Sequence, residues 1–215
     1  MIERVYKNCA DSGFPTFVVT DHDEIESEVK RFGGKALRVD DDVPSGSERI
    51  ALAFERYCRD LKPDLVINVQ GDEPLLQGDV LKELAEFHLS SAFDVTTIVR
   101  ERKASEEDFN NRNVVKAVFV EASGECLYFS RESVPHDRDG KNLHNWYHHI
   151  GVYSYLPEAL AAFVRLPLGQ LENLEKLEQL RALENGMKIG AVKTTHHLIG
   201  VDVPEDIKKV EGALG

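Results

Sequence analysis

A buried strand that runs into a polar turn constrains this chain more than any other stretch. Residues 65–69 are largely apolar and rich in β-branched side chains, as in a strand covered on both faces. Gln70, Gly71 and Asp72 follow at its carboxyl end, which is the edge where open α/β sheets bind ligands. Glycine allows close backbone approach, and aspartate is a hard oxygen donor suited to Mg²⁺. The same residue types also form ordinary turns, so this stretch alone leaves both a turn and a site open.

Helical and strand patterns alternate along the rest of the chain. Short strand-like runs at 17–19 and 36–39 flank an amphipathic segment at 23–32, and the pattern continues to the C-terminus. This alternation predicts an α/β fold with a mostly parallel sheet and helices on both faces. With 215 residues we expect a single domain over 1–215, in which the β-rich segment 113–155 forms a subdomain or a dimer arm.

Two segments have clear helical periodicity. In 48–61 the apolar residues recur at helical spacing from Ile50 to Leu61, which predicts one helix with a single buried stripe. The segment 171–185 also reads as one amphipathic helix. There Glu172 and Lys176 are an i,i+4 pair, so we expect its charges to form a solvated face.

Charge and targeting signals narrow the function classes. The chain has 26 basic and 38 acidic residues and a net charge of −12, which argues against a nucleic-acid surface and against anionic membranes. It contains no long apolar stretch and no signal peptide, so we expect a soluble, cytoplasmic protein.

Several polar residues are candidates for a site, each with a plainer structural interpretation. Ser45 and Glu48 have the spacing of a helix cap, and a helix N-terminus can also bind a ligand. Arg131 follows two aromatic residues and has the planar fork that suits a carboxylate, although surface arginines are commoner. His149 and Tyr153 would share one face of a strand.

Taken together and in this order, these stretches resemble the 3-deoxy-manno-octulosonate cytidylyltransferases, or CMP-Kdo synthetases, of lipopolysaccharide synthesis. The resemblance extends from Val18 to Ile207. The matching stretches are VVTDHDEI, PSGSER, NVQGDEPLL, NVVKAV, LYFSRESVPHDRD, HHIGVYSY, LENLEKLEQLRALENGMKI and GVDVPEDI. The segments with YFSR, H-x-G-x-Y and LEQLR are particular to the Kdo branch, whereas QGDEP and SGSER occur more widely among sugar nucleotidyltransferases.

The resemblance implies a Rossmann-like domain that dimerises through its β-rich segment and transfers a cytidylyl group from CTP to Kdo, releasing pyrophosphate. It assigns Asp72 and Asp202 as catalytic Mg²⁺ ligands, and Ser45, Gly46 and Arg49 to nucleotide binding. Six further residues correspond to the Kdo pocket: Gln70, Arg131, His149, Tyr153, Glu178 and Gln179. These assignments suit the substrate, because Kdo is a polyhydroxylated acid whose carboxylate favours a cation and whose hydroxyls favour amide and carboxylate partners.

The N-terminus departs from the family pattern. Family members begin with a strand and a phosphate-binding loop of the type IPARxxSTRLPGKPL, whereas this chain begins at MIERVYKN, which matches the helix after that loop. We therefore expect a chain that lacks the first strand and this loop. The alternatives are a non-catalytic dimer that retains part of the ligand pocket and a CMP-sialate synthetase, against which YFSR and LEQLR argue.

Overall fold

The computed structural model describes residues 1–104, 107–141, 144–201 and 203–214. They form two compact units, Met1–Glu83 with His197–Gly215, and Leu84–His196. The single domain that the sequence predicts stays a prediction. Within the described ranges no helix is both long and apolar enough to span a membrane.

The first unit is a set of short strands and helices. Its elements are α1 (Ile2–Ala10), β1 (Val18–Thr20), α2 (Asp23–Arg31), β2 (Ala36–Arg38), α3 (Gly46–Ala53), β3 (Val66–Val69) and α8 (Pro204–Leu214). Strands β1 and β2 pair in parallel, and α2 packs against both of them. A helix between two parallel strands is the βαβ unit that the alternating pattern predicts.

The predicted helix over 48–61 is only partly α-helical. After α3 the chain forms a π turn over Phe54–Cys58 and a 3₁₀ turn over Arg59–Leu61. The predicted buried stripe of apolar side chains is confirmed at Ala53, which is 1% exposed. It is wrong at the C-terminal end of the segment, because Tyr57 is 52% exposed and Leu61 is 57% exposed. A π turn changes the number of residues per turn and so rotates the following side chains out of α-helical register.

The second unit is built on a strongly curved sheet. Before it, α4 (Gly78–Leu89) contains residues of both units. The strands are β4 (Val95–Lys103), β5 (Lys116–Val120), β6 (Glu125–Ser130), β7 (Asn145–Tyr155) and β8 (Ile189–Thr194). The helical elements are a 3₁₀ turn (Glu107–Asn110), α5 (Pro157–Phe163), α6 (Gln170–Glu175) and α7 (Gln179–Glu184). The strand order is β7-β4-β8-β6-β5, and β5 also pairs with β7.

The α/β class is confirmed, with one correction to the sheet. In this unit β4 and β8 are parallel, but β4–β7, β5–β6, β5–β7 and β6–β8 are antiparallel, so the sheet is mixed rather than mostly parallel. The predicted β-rich segment accounts for the difference, because the short turn between β5 and β6 can join only antiparallel strands.

A bulge interrupts the pairing of β4 with β7. Thr97 lies opposite Tyr153 and the next residue, Ile98, lies opposite Ile150, so two residues of β7 have no partner in the ladder. Such an irregularity bends a strand and re-aims its side chains. It lies directly beside two of the residues that the sequence assigns to a ligand pocket.

The predicted helix over 171–185 is wrong as a single element. It is broken into α6 and α7 at Lys176, whose backbone is left-handed with φ of 54°. Glu172 is not on a solvated face: it is 7% exposed and forms an ion pair with Arg181, which is 5% exposed. On one straight helix these side chains, nine residues apart, would point in opposite directions at about 100° per residue. The break at Lys176 is what allows them to meet.

Candidate active site

In the first unit the predicted metal ligand Asp72 lies in the loop after β3. Gln70 is exposed and Asp72 is half-buried. The carbonyl oxygen of Asp72 accepts a hydrogen bond of 2.9 Å from the N–H of Val201, so the segment that ends at Val201 lies against this loop. The second predicted ligand, Asp202, is outside the described residues.

The donor chemistry of this loop fits a hard cation. Asp72 and the adjacent Glu73 offer carboxylate oxygens, which are the ligands that Mg²⁺ prefers. Among the described residues no group of three or more histidine, cysteine or acidic side chains has the geometry of a complete metal site. A Mg²⁺ ion here would therefore be held by one or two carboxylates and would keep water or phosphate oxygens as further ligands.

The predicted nucleotide-binding loop at the start of α3 is capped as expected. The Ser45 hydroxyl oxygen accepts a hydrogen bond from the N–H of Glu48 at 3.4 Å, which confirms the helix cap. Arg49 has structural partners: its guanidinium lies 2.8 Å from a carboxylate oxygen of Asp21 and donates to the carbonyl of Val39 at 2.5 Å. It thereby ties α3 to the residues that follow β1 and β2, and its nucleotide contact stays a prediction.

In the second unit His149 and Tyr153 are brought into contact. Their ring centroids are 5.5 Å apart, and the ring of Phe129 packs edge-on against His149 at 4.8 Å. Residues four apart on a regular strand are separated by about 13 Å, at about 3.3 Å per residue. The bulge opposite Thr97 shortens this separation, so the predicted shared face becomes a direct contact.

Burial keeps both of these side chains uncharged. Desolvation, with a smaller contribution from the neighbouring His148, lowers the pKa of His149 to about 3. Desolvation likewise raises the pKa of the Tyr153 hydroxyl well above its usual value, with smaller contributions from nearby groups that include the Glu178 carboxylate. The pocket therefore offers neutral hydrogen-bonding groups, with a carboxylate at close range.

The predicted pair Glu178 and Gln179 stands at the start of α7. Gln179 is 5% exposed, and its side-chain amide nitrogen has no hydrogen-bond partner within the described residues. A buried amide without an acceptor is costly, and a polar ligand would relieve that cost. The buried Glu172–Arg181 pair holds the elbow between α6 and α7 and thus fixes the position of this segment.

Arg131 follows β6, and its guanidinium donates hydrogen bonds to backbone carbonyls. Its Nε donates to the carbonyl of Glu175 at 2.7 Å, and its terminal nitrogens donate to the carbonyls of Arg112 and Lys176 at 3.2 and 3.3 Å. The Glu175 carboxylate accepts hydrogen bonds from the Arg131 N–H and from the Ser130 hydroxyl. The orientation of Arg131 is therefore set by the C-terminal end of α6, where helix carbonyls favour a cation.

Sequence reasoning missed one buried cation beside this group. Lys116 is fully buried, and its Nζ donates to three carbonyls, those of Asn111, Val114 and Arg131, at 2.7 to 2.9 Å. Desolvation lowers its pKa, while the carboxylates of Glu132 and Glu175 oppose that shift. The signal in the sequence is a single lysine inside the apolar strand pattern VVKAVFV.

The predicted site residues therefore fall into two groups, one in each unit. Ser45, Gly46, Arg49, Gln70 and Asp72 belong to the first unit, and Arg131, His149, Tyr153, Glu178 and Gln179 belong to the second. Within the second group, His149 contacts Tyr153, and Glu178 influences Tyr153 electrostatically.

Similarity to known proteins extends over the whole chain. Residues 1–189 match the family model described as cytidylyltransferase. The 3-deoxy-manno-octulosonate cytidylyltransferase of Thermodesulfovibrio yellowstonii is 39% identical over 225 residues, which cover 100% of this chain and 88% of that protein. The enzyme of the same name from Rhodospirillum rubrum is 42% identical over 221 residues, covering 100% of this chain and 85% of that protein.

Solved structures give the same result. A CMP:2-keto-3-deoxy-manno-octonic acid synthetase complexed with CTP superposes with a TM-score of 0.88 at 29% identity, covering 99% of this chain and 86% of that one. HddC from Yersinia pseudotuberculosis, complexed with GMP-PN, has a TM-score of 0.65 at 14% identity over 100% of this chain and 85% of that one, and so shares the fold alone. With full-length relatives at about 40% identity and this structural agreement, the chain belongs to the 3-deoxy-manno-octulosonate cytidylyltransferase family.

Proposed function

We propose that this chain transfers the cytidylyl group of CTP to 3-deoxy-manno-octulosonate, forming CMP-Kdo for lipopolysaccharide synthesis and releasing pyrophosphate. The observation that carries the proposal is the similarity over the whole chain to relatives whose names state this reaction. The structural neighbour that holds CTP supports the nucleotide as the other substrate. These relatives also argue against a sialate-activating enzyme.

In the proposed reaction the anomeric hydroxyl of the sugar acid attacks the α-phosphorus of CTP. A P–O bond forms to this hydroxyl oxygen while the bond to pyrophosphate breaks, and the hydroxyl proton is released. No protein nucleophile is needed. Asp72 and Asp202 would hold Mg²⁺, which supplies positive charge against the phosphates and lowers the pKa of a bound hydroxyl.

The sugar acid would be bound by the predicted pocket residues. Arg131 provides the cation for the carboxylate, and the backbone carbonyls that hold its guanidinium support that role by fixing its direction. The neutral His149 and Tyr153, together with the Glu178 carboxylate and the Gln179 amide, would supply hydrogen-bonding groups for hydroxyls. The assignment of Gln70, in the first unit, rests on the family resemblance.

On the nucleotide side, we assign Ser45, Gly46 and Arg49 to binding CTP, because they begin a capped helix whose N-terminal amides favour a ligand. We also propose a homodimer formed through the β-rich segment 113–155. Leu127 on β6, which is 55% exposed, is an apolar side chain available for such an interface.

The first prediction tests the metal-binding role of Asp72. Asp72→Asn keeps the shape of the side chain but removes one charge, so we expect pyrophosphate release to fall by on the order of a hundredfold or more. The assay measures pyrophosphate release that depends on CTP, Kdo and Mg²⁺, alongside thermal unfolding. We expect the unfolding temperature to change little.

Asp64→Asn is the matched control, because Asp64 is exposed and lies just before the same strand. It makes the same change of charge at the opposite end of β3 and should retain normal turnover. Near-normal turnover in Asp72→Asn would remove this residue from the site, and release that is independent of Kdo would refute the proposed substrate.

A further inference from the structure

We propose that Thr97 is a positioning residue that holds His149 in the tautomer with the proton on Nε2, so that Nδ1 accepts a hydrogen bond from a hydroxyl of the sugar-acid substrate. The inference deepens the proposed function and rests on it for the identity of the substrate. Its first step, the tautomer of His149, depends only on contacts within the second unit.

Three groups surround the Thr97 hydroxyl. The carbonyl oxygen of Val152 is 2.7 Å away, that of Ile150 is 3.2 Å away, and Nε2 of His149 is 3.0 Å away. A threonine hydroxyl has one proton to donate, and a carbonyl oxygen can only accept. The proton therefore goes to a carbonyl, and Val152 offers the shortest bond.

The remaining contact fixes the histidine. Because the hydroxyl proton is already used, a favourable bond between Thr97 and His149 requires that Nε2 carries a proton and donates it to the hydroxyl oxygen. A neutral imidazole has only one such proton, so Nδ1 is then an acceptor. Burial supports this assignment, because it keeps the ring neutral.

The bulge explains why a threonine stands at this position. Val152 belongs to the two residues of β7 that are shifted out of the ladder with β4, and the Thr97 hydroxyl satisfies its carbonyl. The same hydroxyl thus stabilises the bend that brings His149 against Tyr153 and sets the proton on His149. A serine could repeat both contacts, whereas the isosteric valine could make neither.

The consequence for specificity is a preference for a donor. An imidazole nitrogen with a lone pair accepts a hydrogen bond from a ligand hydroxyl but repels a ligand carbonyl or carboxylate oxygen at the same place. This ring would therefore help to orient the sugar acid, with its hydroxyls toward His149 and its carboxylate elsewhere.

The test combines nitrogen NMR with kinetics on the full chain. With ¹⁵N-labelled histidine, long-range ¹H–¹⁵N correlations identify which ring nitrogen carries the proton, and the His149→Gln variant assigns the signals. We expect a protonated Nε2 and an unprotonated Nδ1 in the unliganded protein, and a shift of Nδ1 when Kdo is added. Thr97→Ser should keep this pattern, and Thr97→Val should lose it.

In steady-state assays we expect Thr97→Val to raise the KM for Kdo by about tenfold while the KM for CTP changes less than about twofold. Thr97→Ser should restore the KM for Kdo. A protonated Nδ1 in the unsubstituted protein overturns the inference even if the variants fold poorly, and an unchanged KM for Kdo in Thr97→Val overturns its role in binding. If the chain does not turn over Kdo at all, the proposed function fails, while the NMR result still decides the tautomer.

Discussion

Two ion pairs, one in each unit of the molecule, lie in opposite environments. In the first unit Arg56 lies at the surface, where its guanidinium faces Asp41 with both side chains about 40% exposed. In the second unit Arg181 is almost fully buried. Its guanidinium donates hydrogen bonds of 2.7 and 2.8 Å to the two carboxylate oxygens of Glu172 and lies over the ring of Phe163.

This difference shows that an ion pair affects stability most where it is buried. A surface pair is screened by water and salt and contributes little to stability. A buried pair has already lost its hydration, so removing one partner leaves the other uncompensated. Lys116 extends the contrast, because it is buried with three carbonyl acceptors rather than a carboxylate.

The largest expected effect comes from breaking the buried pair. Arg181→Met keeps an unbranched side chain of similar length but leaves Glu172 buried without its partner, so we expect unfolding to become easier by about 3–5 kcal/mol. Chemical denaturation measures this change. The double variant Glu172→Gln with Arg181→Met removes the stranded charge, and we expect it to be more stable than the single variant. If the single variant lost no more than about 1 kcal/mol, the pair would behave like a surface pair and the contrast would fail.

A smaller effect is expected from the buried imidazole. Below about pH 6.5 the unfolded chain takes up a proton on His149, whereas burial keeps this ring neutral in the folded chain down to a pKa of about 3. Stability should therefore fall as the pH is lowered through this window, and the loss from His149 alone is about 2 kcal/mol at pH 5.

The pH dependence of the unfolding free energy measures this contribution. His149→Gln should reduce its slope between pH 5 and 6 by about one proton. The half-buried His148, whose pKa is lowered to about 4 mainly by desolvation, remains and keeps part of the slope. An unaltered slope in His149→Gln would show that this ring is protonated in the folded state.

The smallest effect is expected at the surface of the first unit. Arg56→Gln removes the ion pair with Asp41, and we expect no measurable change in the unfolding temperature, because the Asp41 carboxylate that is left can be hydrated by water. Raising the salt concentration should change the unfolding of this variant and of the unsubstituted protein equally. A loss comparable to that of Arg181→Met would contradict the distinction between the two pairs.

Local patterns in the sequence were enough to predict much of the first unit. The strand that ends at Val69, the cap at Ser45 and the α/β class follow from apolar runs, capping spacing and alternation, all of which act over a few residues. The residue roles in the site came from resemblance to a family and stay predictions.

What could not be predicted depends on contacts made far along the chain. The left-handed backbone at Lys176 has no signature in a sequence that otherwise favours one helix, and it is accompanied by the burial of Glu172 against Arg181. The burial of Lys116 depends on a carbonyl fifteen residues away, that of Arg131. The role of Thr97 depends on a bulge in a strand more than fifty residues later.

The curved sheet of the second unit has few residue pairs where the hairpin of β5 and β6 joins the neighbouring strands. Strand β6 meets β8 through the single residue pair Glu125 and Gly190, and β5 meets β7 through two pairs, so the hairpin of β5 and β6 is joined to its neighbours by few ladder bonds. Its attachment therefore depends mainly on side-chain contacts, and the buried Phe129 and Cys126 provide some of them. This hairpin ends at Arg131, and the Glu175 carboxylate fastens that end to α6. The hairpin that is joined to its neighbours by few ladder pairs thus carries the cation proposed to bind the sugar acid, and the Glu175 carboxylate holds its end against α6.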